Sequence, residues 1–153
     1  MDEFTANSIL KAPKTIDLDY IMKNLGNVIQ IDWGVLLPGY RGKLKFEINF
    51  IPNTEIRISL YEVFDKACLR RVEVPLNSFP TYEHRNVPAC GNTERFAGIH
   101  KHTFRDRVKD GCAYVPNDID QRSLESIVRT FAAECNISFS SSIPPILFQR
   151  TLF

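Results

Sequence analysis

The sequence is as informative for what it lacks as for what it holds. No apolar run approaches the ~20 residues that a membrane-spanning helix needs, so no membrane partner is expected. An excess of one charge is also lacking. Nineteen Lys and Arg against eighteen Asp and Glu leave a formal charge of +1, and no overall field draws the chain to nucleic acid or an anionic surface. Any such attraction has to be local. Neither a P-loop nor a GxGxxG segment occurs, which excludes nucleotide binding by those two routes. No serine or cysteine sits in a nucleophile elbow. The start, MDEFTANSIL, has no basic region followed by an apolar one, so a signal peptide is not expected and a cytoplasmic location follows. The four cysteines, Cys68, Cys90, Cys112 and Cys135, form no CxxC pair, and in a reducing compartment they read as free thiols.

What is present is a globular composition. Of 153 residues, 44% are hydrophobic and 24% charged, enough to form one domain over 1–153. Residues 1–14 read as a polar N-terminal arm. Leu18, Ile21, Met22 and Leu25 fall at helical spacing and Gly26 follows, predicting a short helix that starts near Thr15 or Asp17. Four runs then alternate with period two: Ile29 to Val35, Leu44 to Phe50, Ile56 to Leu60, and Val72 to Leu76. Pro38-Gly39 and Pro52-Asn53-Thr54 are turns between them, and Pro75 places the fourth run at an edge or at its end. The runs predict an antiparallel meander with one wet face.

A long irregular stretch, residues 78–97, follows the meander. The cover for the sheet's apolar face is a helix over about Asp118 to Cys135, with Leu124, Ile127, Val128, Phe131 and Cys135 on one stripe and Asp118 or Asp120 as cap. The fold expected is therefore α+β: an antiparallel sheet of four to six strands, one long C-terminal helix on one face, and a short N-terminal helix. The apolar C-terminal tail, 138–153, is expected to dock on the body or on a second copy as a homodimer contact.

Histidine is scarce, and two of the three lie close together in Gly98 to Pro116, GIHKHTFRDRVKDGCAYVP. Ile99 to Phe104 reads as a strand, so His100 and His102 share a face, about 7 Å apart. His84 and Arg85, in the preceding loop, can reach the same face. Arg105 and Arg107 follow at once and suit an anion. Two imidazoles beside a cation can cleave RNA without metal, with His100 as base, His102 as acid and Arg105 as phosphate clamp. Lys101 and Tyr114 can assist or bind. A metal held by His84, His100 and His102 is the weaker alternative, because their spacing matches no compact zinc signature. No cofactor is expected. Against every chemical reading stands a solvated loop of mixed charge with two structural histidines.

The segment His84 to Asp120 resembles an uncharacterised group of small bacterial and phage domains. The resemblance is carried by His84, Arg85 and Asn86, by His100, His102, Phe104 and Arg105, and by Asp110, Ala113, Tyr114 and Pro116. Val87 and Cys112 stand where that group has proline and tryptophan. The group has no established activity, so the likeness implies a shared site at His84, His100 and His102 and a phage or mobile-element setting. Two functions follow as expectations. The first is an interaction module that binds a protein or RNA partner through the face bearing His100, His102, Arg105 and Arg107. The second is a metal-independent ribonuclease using His100 and His102. Whether the chain is an enzyme is left open by the sequence.

Overall fold

The structure is a computed structural model, and it describes residues 1–76, 84–117 and 123–139. The chain opens with helix α1 (Glu3–Lys11), where a polar arm was expected. Asp2 caps it by accepting a hydrogen bond from the Thr5 amide at 2.7 Å, Glu3 lies in the first turn and Lys11 in the last. Ala6, Ile9 and Leu10 form the buried stripe. A helix of nine residues is too short to hold itself, so this stripe and its packing are what fix it.

Lys14 ends that helix. Its side chain is 2% exposed, and its ammonium donates to the carbonyls of Ile9, Leu10 and Ala12 at 2.5, 3.2 and 2.5 Å. The lysine thus satisfies carbonyls that the helix leaves open. Lys14→Met keeps the volume and removes the donors. We expect it to cost about 2 kcal/mol, measured by urea denaturation, because buried acceptors lose their partner.

The segment expected to be the N-terminal helix is a strand, β1 (Lys14–Asn24). Its register against β2 (Ile29–Leu36) breaks between Ile16 and Tyr20. The bulge disrupts the period of two and leaves apolar residues at a spacing that imitates a helix. Tyr20, Ile21 and Met22 are exposed, so they never formed a buried helical stripe. Gly26 is a hairpin residue, not a helix stop. Its φ is +74°, and the Leu25 amide closes the turn on the Val28 carbonyl at 2.8 Å.

The meander continues through β3 (Leu44–Ile51), β4 (Glu55–Glu62) and β5 (Ala67–Pro75). Pro75 ends the last of these. Two short strands, β6 (His84–Arg85) and β7 (Arg95–Phe96), pair separately, with a 3-10 turn at Pro88–Cys90 between them. Strands β8 (His100–Thr103) and β9 (Cys112–Tyr114) then extend the main sheet beyond β5. Helix α2 (Leu124–Glu134) and strand β10 (Ile137–Ser138) complete the described chain.

The sheet has eight strands in the order β10-β1-β2-β3-β4-β5-β8-β9. It is antiparallel except where β10 runs parallel to β1. This corrects the expected four to six strands. The long C-terminal helix is corrected too: α2 has eleven residues and is capped by Ser123, whose hydroxyl accepts from the Ser126 amide. Asp118 and Asp120, the caps expected, lie outside the described residues, as do 77–83 and the tail beyond Phe139. Among the described residues the chain is mostly sheet with two short helices. No helix among the described residues is long and apolar enough to cross a membrane.

The sheet separates two environments. One face carries Ile31, Trp33, Phe46, Ile48, Ile58, Leu60 and Val72, packed against α1 and against Ile127, Val128, Phe131 and Ala132 of α2. The opposite face was expected to be wet, but its polar side chains are largely buried. Cross-strand register sets them in two rows. One runs Gln30, Asn49, Arg57, Glu73, His100, and the other Asp32, Glu47, Ser59, Arg71, His102, Ala113. Opposite charges are paired across this face. Lys45 pairs with Asp32 and Glu47, Arg57 with Glu55 and Glu73, and Arg71 with Glu73 and the Tyr61 hydroxyl.

The four cysteines are not all free. Cys90 and Cys112 form a disulfide, while Cys68 and Cys135 remain thiols. The two partners are 22 positions apart, and only the path of the chain around the sheet edge brings them together.

Candidate metal centre

The two rows end at β8, and their last members are His100 and His102. Alternation along β8 sends both imidazoles to the polar face, with ring centroids 4.9 Å apart. Register places Glu73 directly across from His100 and Arg71 across from His102. Glu73, His100 and His102 are 3%, 3% and 2% exposed. One ligand atom from each can be chosen so that all lie within 4.8 Å of one another, and no second group of this kind occurs among the described residues.

The hydrogen bonds of the rings fix their protons. His100 Nδ1 is 2.7 Å from the Gly98 carbonyl oxygen, and His102 Nδ1 is 2.9 Å from the Asp110 carbonyl oxygen. A carbonyl can only accept, so each Nδ1 carries the hydrogen. In a neutral ring Nε2 is then a bare lone pair. Both lone pairs face the Glu73 carboxylate. His100 Nε2 lies 3.3 Å from Oε2 and His102 Nε2 lies 3.6 Å from Oε1. Neither nitrogen makes an aligned hydrogen bond, nor does Glu73 Oε2. The contacts are close in distance but do not meet hydrogen-bond geometry.

The electrostatics keep Glu73 charged and His102 neutral, while at His100 they favour the protonated ring. Burial pushes the Glu73 carboxyl up, but the His100 contact, the charges of both histidines and Arg57 outweigh it, holding the group down at about 2. Burial drives His102 down to about 4; Glu73 opposes this, while His84 and His100 reinforce it. Burial also tends to lower His100, yet Glu73 and the Gly98 carbonyl raise it. At neutral pH the cluster therefore holds a carboxylate and a neutral His102.

His84, on β6, completes the surroundings. Its ring stands 4.4 Å from that of His102 and 6.0 Å from that of His100, centroid to centroid. Its Nε2 is buried and has no hydrogen-bond partner. Burial and then His100 lower its pKa. Phe96, paired with His84 across β6 and β7, lies 5.9 Å from the His100 ring and closes that side.

The remaining residues singled out in the sequence lie elsewhere. Arg105 is not beside the histidines. It is on the helix side, where its guanidinium meets Glu3 of α1 at 3.3 Å. Strand parity explains the separation, because Arg105 has the parity of Lys101 and Thr103, not that of His102. Lys101 is buried on the helix-facing side and pairs with Glu134 of α2, which also meets Arg70 at 3.1 Å. Tyr114, across from Lys101, is half-exposed on that same side. Arg85 is exposed on β6, and Arg107 is 92% exposed next to Asp106.

Glu73 and Arg71 were missed. In the sequence they are merely the polar partners of Val72 and Val74 in an alternating run. Nothing in their spacing says that β5 pairs with a strand beginning at residue 100. Compared with family models, with curated proteins and with solved structures, the chain has no match to any of them.

Proposed function

We propose that this chain is a metal-binding protein that holds one divalent transition metal on Glu73, His100 and His102. The observation that carries the reading is a set of buried acceptors facing one another. Two imidazole lone pairs and a carboxylate converge with no hydrogen between them aligned for a bond. A proton can serve one such pair, whereas a cation serves all three. The second hydrogen bond of each ring goes to a backbone carbonyl, the arrangement that orients metal-bound histidines. In a tetrahedral site, ligand distances of about 2.0–2.2 Å put donor atoms roughly 3.3–3.6 Å apart, and the two histidine–carboxylate separations are 3.3 and 3.6 Å.

Nitrogen and carboxylate donors suit zinc. An iron centre of the two-histidine, one-carboxylate kind keeps open positions for substrate, and burial of all three ligands favours a closed site. The metal is accordingly proposed to hold the end of the sheet together rather than to face a substrate. The metal-independent ribonuclease and the His100, His102, Arg105 binding face lose their footing here. Both need imidazoles open to solvent with Arg105 alongside. The disulfide also weighs against the cytoplasmic location expected, since reducing compartments keep thiols apart. The homodimer expectation rests on a tail outside the described residues.

Metal analysis of the purified chain after zinc loading and desalting tests the proposal. We expect one zinc per chain, and none in the His100→Ala, His102→Ala double variant, with circular dichroism confirming that the variant is folded. A parent chain that retains no zinc overturns the reading.

A further inference from the structure

The segment from His84 to Phe96 crosses from one face of the sheet to the other. His84 lies over the polar face against the two site histidines. Two residues on, Asn86 reaches the outer edge of β9. Its amide nitrogen donates to the Ala113 carbonyl at 2.9 Å and its oxygen accepts from the Ala113 amide at 2.8 Å, so one buried side chain pairs with β9 as another strand would. The same amide nitrogen meets Asn92 Oδ1 at 3.0 Å. Cys90 then joins Cys112, which by register shares the helix-side row of Arg70 and Thr103. The chain returns through β7 to put Phe96 beside His100. The segment is a strap around the sheet edge, fastened at Asn86 and at the disulfide.

The disulfide fastening is open to attack. A cleft of about 520 Å³ on the helix side is lined by Cys90, Cys112, Arg70 and Arg105, among others. Both cysteines are only partly buried. The metal cluster lies on the other face, at the far end of the same strap.

Building on the metal reading above, we infer that this strap is a redox latch on the metal. Closed by the Cys90–Cys112 disulfide, it keeps the His84 ring against His102, beside the three-residue cluster, from where Nε2 can turn in to the ion as a fourth ligand. Opened by a dithiol reductant, it withdraws that ligand and lets the metal exchange. In the opening step a thiolate of the dithiol attacks one sulfur, breaking the Cys90–Cys112 bond and forming a mixed disulfide. Its second thiol resolves that bond. The chain gains two electrons and two protons as two thiols, and the dithiol leaves as its own disulfide. Position supports the assignment twice. His84 Nε2 is buried and unpartnered beside His102, and a single covalent link joins its segment to the strand whose neighbour, β8, carries both site histidines.

The test uses the full chain loaded with zinc. A chromophoric chelator in excess reads the rate of zinc release, and a water-soluble phosphine serves as reductant because dithiols themselves bind zinc. Release is expected to quicken about tenfold or more on reduction, the scale on which supporting groups alter metal affinity. The Cys90→Ser, Cys112→Ser double variant should release at the fast rate without reductant. His84→Ala should be fast in both states. Under denaturing conditions the oxidised chain should titrate two thiols and the reduced chain four. Equal release rates from oxidised and reduced parent chain, or four thiols before reduction, overturn the latch and leave the three-ligand site standing. Failure of the parent chain to bind zinc in either state overturns both. Should the double serine variant not fold, the reduced parent chain and His84→Ala still decide the matter.

Discussion

Glu73→Gln is expected to abolish the rise in melting temperature that zinc gives the parent chain. Zinc at a hundredfold excess over its Kd stabilises a folded state by about 2.7 kcal/mol when the unfolded chain does not bind it. In a domain of this size that amounts to about 5–10 °C. Glutamine keeps the shape of glutamate and removes the charge. Its amide can donate to one of the bare Nε2 atoms, so the metal-free cluster is not left with facing lone pairs. The charge it removes also balances Arg57 and Arg71, and the variant's own melting temperature will therefore shift for reasons unrelated to metal. The decisive quantity is the difference between scans with and without zinc, with magnesium as the control cation. A Glu73→Gln chain that shows the full parental zinc shift would remove Glu73 from the ligand set.

This prediction concerns the residue that was least legible in the sequence. His100 and His102 declare themselves by alternation, since positions two apart on a strand share a face. Glu73 declares nothing, because its role depends on which strand pairs with β5. That partner is separated from it by the strap, and no local pattern encodes the jump. Arg105 illustrates the converse. It looked like part of the site because it is near in sequence, although its parity already assigned it to the other face.

The fold divides in the same way. Strands β2 to β5 follow from period-two runs bounded by turn residues. The bulge in β1 breaks that period, and the helical spacing of Ile21, Met22 and Leu25 was a by-product of the break. Helix α1 was hidden by its length, though Asp2 and the Ala6, Ile9, Leu10 stripe were there to be read. The polar face was taken to be wet because a single strand cannot show that its charged residues meet counter-charges on both neighbours. Its burial, and with it the closed character of the histidine cluster, belongs to the register and not to any one segment.

Gly111→Ala is expected to be the most damaging single methyl addition near the centre. Gly111 has φ of +69°, a region where a side chain is strained, and a Cβ there would stand 2.1 Å from the Thr103 carbonyl oxygen. That oxygen is backbone at the end of β8, so it cannot swing aside as a side chain would. Left-handed strain alone costs on the order of 1–3 kcal/mol. With the backbone clash added, a loss of about 3 kcal/mol or more is expected, seen as a fall in melting temperature of roughly 6–12 °C. The damage should also reach the metal. The residue before Gly111 is Asp110, whose carbonyl orients His102, and the residue after it is Cys112, which fastens the strap. Moving this turn rotates one ligand and shifts the fastening of another. Zinc affinity should therefore fall by about 10- to 100-fold, the scale for loss of an orienting partner. A chelator competition on chains confirmed folded at low temperature measures it. If Gly111→Ala melts low yet binds zinc as the parent does, the turn matters for stability alone, and the Asp110 carbonyl is not what holds His102 to the ion.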